Sequence, residues 1–464
     1  MNETPSLFES LPAHQAPEPE VKAGPRLRTA ERHQIEYRPM CLDELLPQDH
    51  RVRQVWKFVL GLNLTAMLNI IKAVEGHPGR PAADPQILVA LWLYATVKGI
   101  ASAREVARLC NEHLAFRWLC GGVGMNAKTL ADFRVDHGEA LEQLLIDSFA
   151  ALMKAGVAHL NRAAQDGVRV RAAAGAASFR REKTLQEYRA EAEQRMRDLQ
   201  AEAQRDPGAG ARRRRAAQKR GAEDRERRVK EALAVVQELQ SKQQEKADKP
   251  KRAYKKKANT DKKSTKKGDN KEDEKKETEP RASMTDPEAR VMKMADGGFR
   301  PAYNVQFASD TVSGAVAGVS VDNIGVDNGK MAPMNDKLAA DYGQRPKEHL
   351  VDGGYNKLED IESLTKAGVT IYAPLKKSRN EEANPHAPKK KDSLEVAAWR
   401  ERMGTDEAKG IYKERAATAE CVNAQARERG LTQFVVRGVK KVLNCARWHA
   451  LTHNMMCSWR LLPA

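Results

Sequence analysis

The sequence predicts a mixed α/β protein with an all-helical N-terminal region and a charged insertion. Apolar residues recur at helical spacing up to about residue 160, and an alternation with a period of two begins shortly afterwards. Between residues 179 and 282 charged side chains dominate and large apolar ones are few. The chain of 464 residues, 41% of them hydrophobic, is long enough to bury a sizeable core.

The net charge predicts a polyanionic partner, and nucleic acid is the first expectation. Lys and Arg total 80 against 63 Asp and Glu, which gives a formal charge of +17. The longest apolar run, residues 87–95, is much shorter than the roughly 20 residues that a membrane-spanning helix needs. No secretion signal opens the sequence and the six cysteines form no CxxC pair, so we expect a cytoplasmic protein without a membrane span, a disulfide framework or a zinc site.

The region before residue 161 is predicted to contain a mobile leader and a helical domain. Residues 1–38 are rich in Pro and Glu and lack core-forming side chains. Residues 39–160 carry helical patterns, and the most apolar of these, residues 84–99, predicts a buried helix. Ser102 and Glu105 form a Ser-x-x-Glu capping box that opens the next amphipathic helix.

Two of these helices are candidates for DNA contact. Segments 102–110 and 126–137 are joined by a glycine turn, and a helix-turn-helix would place the second segment in a major groove. Lys128 and Arg134 would then reach the DNA. Because the link is long for that motif, a purely structural packing role for both helices stays open.

The sheet is predicted to start just after Asp166, where Val168 and Val170 alternate with arginines. The other predicted elements of this domain are a hairpin at 303–307 and 315–321, helices at 330–342 and 357–367, and strands at 349–352 and 369–373. We therefore predict that residues 161–178 and 283–464 build one mixed sheet domain.

A charged insertion interrupts this sheet domain. Residues 179–245 contain two helical patterns separated by a Pro-Gly break, which predicts an antiparallel helical hairpin or a short coiled coil. Residues 246–282 have no core-forming set and are predicted to be a disordered linker. Basic clusters at 212–215 and 251–257 either neutralise DNA phosphates or form a solvated, self-repelling surface.

Three carboxylates stand out by their position: Asp166 at the edge of a strand, Asp352 at the end of another, and Glu420 in a later helix. Acids that converge from separate elements suit hard divalent cations, and these three could hold two Mg²⁺ ions. Such a pair, about 3.5–4 Å apart, supports phosphodiester displacement. Each acid alone also fits a turn or cap, and spacing does not separate the three from Asp322 or Asp327.

The helix around Glu420 carries further polar residues. Tyr412, Arg415, Glu420 and Arg427 fall within about 140° of one another at roughly 100° per residue. A face with a hydroxyl, an acid and two guanidinium groups suits a phosphate. The alternative is an ordinary solvated helix face.

Short blocks in chain order resemble the DDE transposases of bacterial insertion sequences. In the C-terminal part these blocks are Gln165-Asp166-Gly167, Thr285-Asp286-Pro287-Glu288-Ala289-Arg290, Tyr303-Asn304-Val305-Gln306, Val351-Asp352-Gly353-Gly354-Tyr355, Tyr412-x-x-Arg415 followed by Glu420, and Phe434–Gly438 through Asn454. In the N-terminal part they are Gly79-Arg80-Pro81, Leu91-Trp92-Leu93-Tyr94, Ser102-x-Arg104-Glu105 and Thr129-Leu130-x-Asp132-Phe133-Arg134.

The resemblance implies a ribonuclease H-like catalytic core with an N-terminal domain that binds DNA ends. Asp166, Asp352 and Glu420 match the family's Mg²⁺-binding acids, with two ions bound and Mn²⁺ as a substitute. Tyr412 and Arg415 match residues that are expected to contact DNA phosphate. Arg427 stands where the family often has a lysine, which keeps the charge but changes its geometry.

The function implied by the resemblance is that of an insertion-sequence transposase. It would bind terminal inverted repeats of double-stranded DNA, cut them with Mg²⁺ and join the freed 3′-hydroxyl to target DNA. We expect a homodimer in the DNA complex and a nucleoid-associated location. Two alternatives stay open: a nuclease that cuts without joining, and a catalytically inactive or repurposed DNA-binding relative.

Overall fold

Helices that pack around one long apolar helix form the N-terminal part of the fold. The computed structural model describes residues 39, 41–74, 76, 81–205, 212–248, 279–375 and 384–462. The predicted leader, 1–38, and residues 249–278 of the predicted linker lie outside the described residues. The N-terminal helices are Arg51–Leu60 (α1), Thr65–Leu68 (α2), Pro85–Val97 (α3), Ala103–Glu112 (α4), Leu114–Cys120 (α5), Ala127–Asp136 (α6) and Gly138–Lys154 (α7).

Helix α3 is the buried helix that the sequence predicts. Residues 87–96 are all buried, because an apolar run of this length has no polar face to turn toward water. The helix begins at Pro85, and the Asp84 carboxylate accepts the N–H of Gln86 at 2.8 Å.

The helices after α3 differ from a helix-turn-helix. The Ser102 hydroxyl caps α4 as predicted by accepting the N–H of Glu105 at 3.3 Å, whereas the Glu105 carboxylate pairs with Arg108. Helix α5 fills the link between α4 and α6 and ends at Gly121, whose φ of 55° is the left-handed conformation that glycine adopts without strain. The segments 102–110 and 126–137 pack directly against each other, and α5, which packs against α3 and α4, occupies the link between them.

A mixed sheet follows, and it confirms the predicted α/β class. The strands are Arg162–Arg171 (β1), Phe179–Arg180 (β2), Ala282–Ser283 (β3), Arg290–Lys293 (β4), Phe299–Asp310 (β5), Val316–Asp322 (β6), Glu348–Leu350 (β7) and Thr370–Tyr372 (β8). The main sheet runs β4-β5-β1-β7-β8, with β6 also paired to β5. Strands β5 and β6 form the predicted antiparallel hairpin, β1 is antiparallel to β5, and β7 runs parallel to both β1 and β8.

Strand β1 begins earlier than the sequence predicts, and Asp166 lies in its middle rather than at its edge. Ala163 and Ala164 are fully buried and pair with both β5 and β7. These two small apolar residues are adjacent, so the first half of the strand does not alternate between apolar and polar residues. The period-two pattern that predicts a strand is therefore absent there.

The insertion contains the predicted antiparallel helical hairpin, formed by Glu182–Arg205 (α8) and Arg212–Asp248 (α9). Gln240 donates to Glu182 at 2.7 Å and Arg225 pairs with Glu191 at 3.5 Å, so the two helices run in opposite directions. Leu185 and Val229 belong to the small apolar core between them. The two short strands β2 and β3 pair at the base of the hairpin, so residue 282, at the end of the predicted linker, lies in a strand.

The remaining helices cover the sheet. They are Met331–Tyr342 (α10), Leu358–Lys366 (α11), Leu394–Arg402 (α12), Asp406–Arg415 (α13), Cys421–Glu428 (α14) and Val439–Leu461 (α15). Helix α15 joins the two parts of the fold, because Trp448 and Leu451 belong to the apolar core of the N-terminal helices. The Asn454 side chain on the same helix accepts the N–H of Val316 at 2.8 Å and donates to the Val316 carbonyl at 2.9 Å. These two hydrogen bonds connect α15 to β6.

Residues of the Thr285–Arg290 block form hydrogen bonds to the N-terminal end of α15. The Asp286 carboxylate accepts the Tyr303 hydroxyl at 2.7 Å and the N–H of Gly438 at 3.2 Å, and burial raises the pKa of Asp286. The Glu288 carboxylate accepts the N–H of Val439 at 2.7 Å, a favourable position for an anion at a helix N-terminus. The Thr285–Arg290 block thus has a structural role. None of the helices in the described residues is both long and apolar enough to cross a membrane.

Candidate active site

The parallel pairing of β1 and β7 brings two predicted aspartates together. Ala164 on β1 lies beside Leu350 on β7, and each strand reaches its aspartate two residues later. The pairing ends there, and Asp166 and Asp352 follow it closely enough for the charge of Asp352 to act on the Asp166 carboxyl. Strand β7 ends at Leu350 while β1 continues, which opens a cleft at the carboxyl end of β7, where α/β sheets bind ligands.

This cleft has a volume of about 480 Å³ and is strongly polar. Acidic and basic side chains alternate around it, so it suits both a cation and a phosphodiester. The charged lining residues are Asp166, Asp296, Asp327, Asp352, Arg169, Arg171, Arg300 and Arg427.

Asp166 is more enclosed than Glu420, with 17% of its side chain exposed against 56%. One carboxylate oxygen accepts the N–H of Gly167 at 3.0 Å and faces Arg415 Nη2 at 3.0 Å, and the other accepts the Asn423 amide at 3.0 Å. Burial raises the pKa of Asp166; the Arg415 guanidinium opposes this shift and the Asp352 charge adds to it.

Asp352 opens a tight 3₁₀ turn, Gly353–Tyr355, directly after β7. Its Oδ1 accepts the N–H of Gly354 at 2.7 Å, so this aspartate also has the turn-forming role that the sequence left open. A Cβ at position 354 would come within 2.8 Å of that oxygen, which explains the need for glycine there.

Glu420 reaches the site through Arg415. Arg415 Nη1 donates to Glu420 Oε1 at 2.8 Å while Nη2 faces Asp166, so one buried guanidinium links the two acids. In a regular helix, residues five apart point about 140° away from each other. Ala416–Glu420 instead form a π-helical turn, whose bonds join residues five apart and stack Glu420 over Arg415.

The single helix face predicted for residues 412–427 assumed regular α-helical spacing, and the π-helical turn Ala416–Glu420 interrupts that spacing. Tyr412 lies on α13, where it packs against the apolar cluster around Trp399, and burial raises the pKa of its hydroxyl. Arg427 lies on α14, is exposed, and lines the cleft with Asp166 and Asp352. The Tyr412 hydroxyl also interacts with Arg415 and with the charges of Asp352 and Glu420. The structure thus gathers Asp166, Asp352, Tyr412, Arg415, Glu420 and Arg427 in one region.

Comparison with protein families gives one match. The family model described as Transposase domain (DUF772) matches residues 40–136. These residues resemble a transposase domain. The match covers helices α1–α6 and lies outside the cleft, which is formed by later residues. No curated protein and no solved structure matches the chain.

Both residues predicted to reach DNA lie within the matched residues 40–136, but only one is accessible. Lys128 is exposed on α6 and pairs with Asp132 at 2.5 Å. Arg134, predicted to reach DNA, is 7% exposed: it donates to the carbonyl of Ala101 and its guanidinium lies 4.7 Å above the Trp92 ring. Arg134 therefore packs inside the N-terminal helical region and does not face solvent.

Sequence reasoning missed the polar residues beneath the cleft. Asn304 and Gln306 donate to Asp327 Oδ1 at 2.7 and 2.8 Å, and both amides are fully buried in a central strand. In the sequence these two amides alternate with Tyr303 and Val305 in a strand pattern. Because an unpaired buried amide is costly, this pattern could have indicated buried polar partners nearby. Among the described residues, no group of three or more Asp, Glu, His or Cys side chains is arranged as a ready-made metal site.

Proposed function

We propose that this chain is an insertion-sequence transposase that binds terminal inverted repeats and catalyses Mg²⁺-dependent DNA cleavage and strand transfer. The observation that carries the proposal is the convergence of Asp166 and Asp352 on one cleft, with Glu420 linked to Asp166 through Arg415. The match of residues 40–136 to a transposase domain and the net charge of +17 support a DNA-processing role.

The catalytic core in this proposal is ribonuclease H-like. An antiparallel hairpin on one side of β1 and two parallel strands on the other side support this assignment. The helical region before the sheet would bind the element ends, with Lys128 on its accessible surface.

The donor chemistry of the site fits Mg²⁺. Asp166 and Asp352 offer hard carboxylate oxygens at one cleft, and they would hold the ion together with Glu420. A bound Mg²⁺ pair would stabilise the charge that develops on the attacking and leaving oxygens. Because Arg415 already offsets the charges of Asp166 and Glu420, cation binding would compete with this guanidinium.

The basic residues of the cleft would bind the DNA backbone. Arg427 and Arg171 are exposed at its rim and would each contact a phosphate. In the first step a water oxygen bonds to phosphorus and the P–O3′ bond breaks, which frees a 3′-hydroxyl. In the second step that hydroxyl bonds to a target phosphorus and displaces the target's 3′-oxygen. Joining both ends to one target favours a homodimer on DNA.

A cleavage and joining assay tests this function. Purified protein, Mg²⁺, a labelled DNA end from the sequence flanking the gene and a target plasmid should give both nicked and joined products. Asp352→Asn should retain end binding and lose cleavage. Asp296→Asn, which changes another aspartate of the cleft that pairs with Arg300, is the matched control and should cut normally.

The products separate the alternatives. Cleavage without joined product would indicate a nuclease, and end binding without cleavage would indicate an inactive DNA-binding relative. Full cleavage by Asp352→Asn would remove Asp352 from the site.

A further inference from the structure

A buried polar network lies on the face of the sheet opposite to Asp166. Successive residues of a strand point to opposite faces, so Gln165 and Gly167 flank Asp166 but face the other way. In the antiparallel pairing, Gly167 lies opposite Gln306 and shares its face. Gln306 is fully buried at the centre of this network.

The Gln306 side chain connects three parts of the site. Its carbonyl oxygen accepts the Gln165 amide at 3.0 Å and the hydroxyl of Tyr355, and its amide group donates to Asp327 at 2.8 Å. Gln165 immediately precedes Asp166, Tyr355 ends the turn that Asp352 begins, and Asp327 lines the cleft. Only one orientation of the Gln306 amide satisfies all three partners.

Gly167 shows how closely this network lies against the strand. A Cβ at this position would come within 2.4 Å of the Gln306 amide nitrogen and 2.6 Å of Asp327 Oδ1. The network therefore occupies the space that a side chain next to Asp166 would take. Movement of the Gln306 amide would press on the backbone that carries Asp166.

We propose that Gln306 is a positioning residue that fixes the spacing between Asp166 and Asp352 by holding the Asp166 strand and the Asp352 turn to one amide. This inference rests on the proposed function of the cleft. Residues that form hydrogen bonds to the segments carrying metal ligands orient those ligands. A buried network no longer does so when one member presents an acceptor where a donor is needed. Gln306 touches neither DNA nor metal in this role.

The test uses the full chain with two variants and a charge swap. Gln306→Glu keeps the shape but cannot donate to Asp327, and Tyr355→Phe removes one hydroxyl. Hydrogen exchange of residues 350–357, measured without metal, should be at least tenfold faster in both variants. Mg²⁺ affinity, measured by calorimetry without DNA, should fall at least tenfold.

Gln306→Glu combined with Asp327→Asn reverses donor and acceptor while keeping the total charge. It should restore slow exchange and Mg²⁺ affinity to within about threefold of the original chain. Tyr303→Phe is the matched control, because it removes a buried tyrosine hydroxyl bond from the same strand on the Asp286 side. It should leave both readouts unchanged.

The proposal would be overturned if hydrogen exchange of residues 350–357 were unchanged in both Gln306→Glu and Tyr355→Phe. It would also be overturned if Tyr303→Phe changed the exchange rate and the Mg²⁺ affinity as much as those variants do. The exchange measurement needs neither metal nor DNA. If the original chain binds no Mg²⁺ but the network variants still loosen residues 350–357, the proposed function fails while the positioning role stands.

Discussion

Replacing Arg415 with glutamine should destabilise the fold and should do so most strongly at neutral pH. The Arg415 side chain is 9% exposed and pairs with Asp166, which is 17% exposed, and with Glu420, which is 56% exposed. Removing one partner of a fully buried ion pair costs about 3–5 kcal/mol, whereas an exposed pair contributes roughly 0–1 kcal/mol. Because Asp166 keeps two other hydrogen bonds and some solvent, we expect a loss of about 2–3 kcal/mol.

The pH dependence of this loss follows from the charge on Asp166. Burial raises the pKa of Asp166 and the Arg415 guanidinium lowers it, so the variant should raise this pKa further. A carboxyl with a raised pKa is destabilised only while it is ionised. Urea unfolding at about pH 7.5 and about pH 4.5 should therefore show a larger loss at the higher pH.

Arg162→Gln is the matched control for Arg415→Gln. Arg162 also lies between two acids, Glu348 and Glu414, but its side chain is 23% exposed. We expect its loss to be about 1 kcal/mol and nearly independent of pH in this range. An equal loss for both arginines, or a pH-independent loss for Arg415→Gln, would refute the assigned role of Arg415.

Three further predictions concern other parts of the fold. Gly167→Ala should lower stability by about 1–3 kcal/mol in urea unfolding, because its Cβ would clash with Gln306. Burial lowers the pKa of His349 to about 3, so the unfolded chain binds a proton on acidification that the native state does not bind. His349→Gln should therefore reduce the loss of stability between about pH 6 and pH 4 by roughly 1.4 kcal/mol per pH unit. Lys128→Ala should weaken DNA binding and reduce its salt slope by about 1, whereas Arg134→Leu should lower the melting temperature.

Two of these predictions have a matched control variant, and a contradicting outcome tests each of the others. Gly175→Ala adds a Cβ that meets nothing within 4 Å and should leave stability nearly unchanged. His159→Gln removes an exposed imidazole and should keep the original pH slope. A loss of DNA binding by Arg134→Leu without any loss of stability would contradict the packing role of Arg134, and an unchanged salt slope for Lys128→Ala would remove Lys128 from the DNA surface.

The sequence predicted the elements whose patterns are local. The α3 helix is recognisable because its apolar run needs no partner information. The β5–β6 hairpin is recognisable from an alternating segment before a Ser-Gly turn and an apolar run after it. The family resemblance singled out Asp166 and Asp352, but it did not give the pairing of β1 with β7, because register depends on long-range packing.

Three features had no local signal. The π-helical turn before Glu420 depends on a backbone bonding pattern that leaves no period in the side chains. The burial of Arg134 depends on Trp92, more than forty positions earlier in the chain. The role of Gln306 depends on partners from three separate segments, so a lone buried amide could be noticed but its partners could not be named.

Iron-directed cleavage of the polypeptide tests most directly whether the three acids share one metal site. Fe²⁺ bound in place of Mg²⁺, with ascorbate and peroxide added, cuts the backbone close to its ligands. We expect fragments that end near Asp166, Asp352 and Glu420 in the same sample, and we expect all three cuts to fade together in Asp352→Asn and under excess Mg²⁺. Cuts confined to other segments, or cuts near these residues that persist in Asp352→Asn, would contradict a shared site.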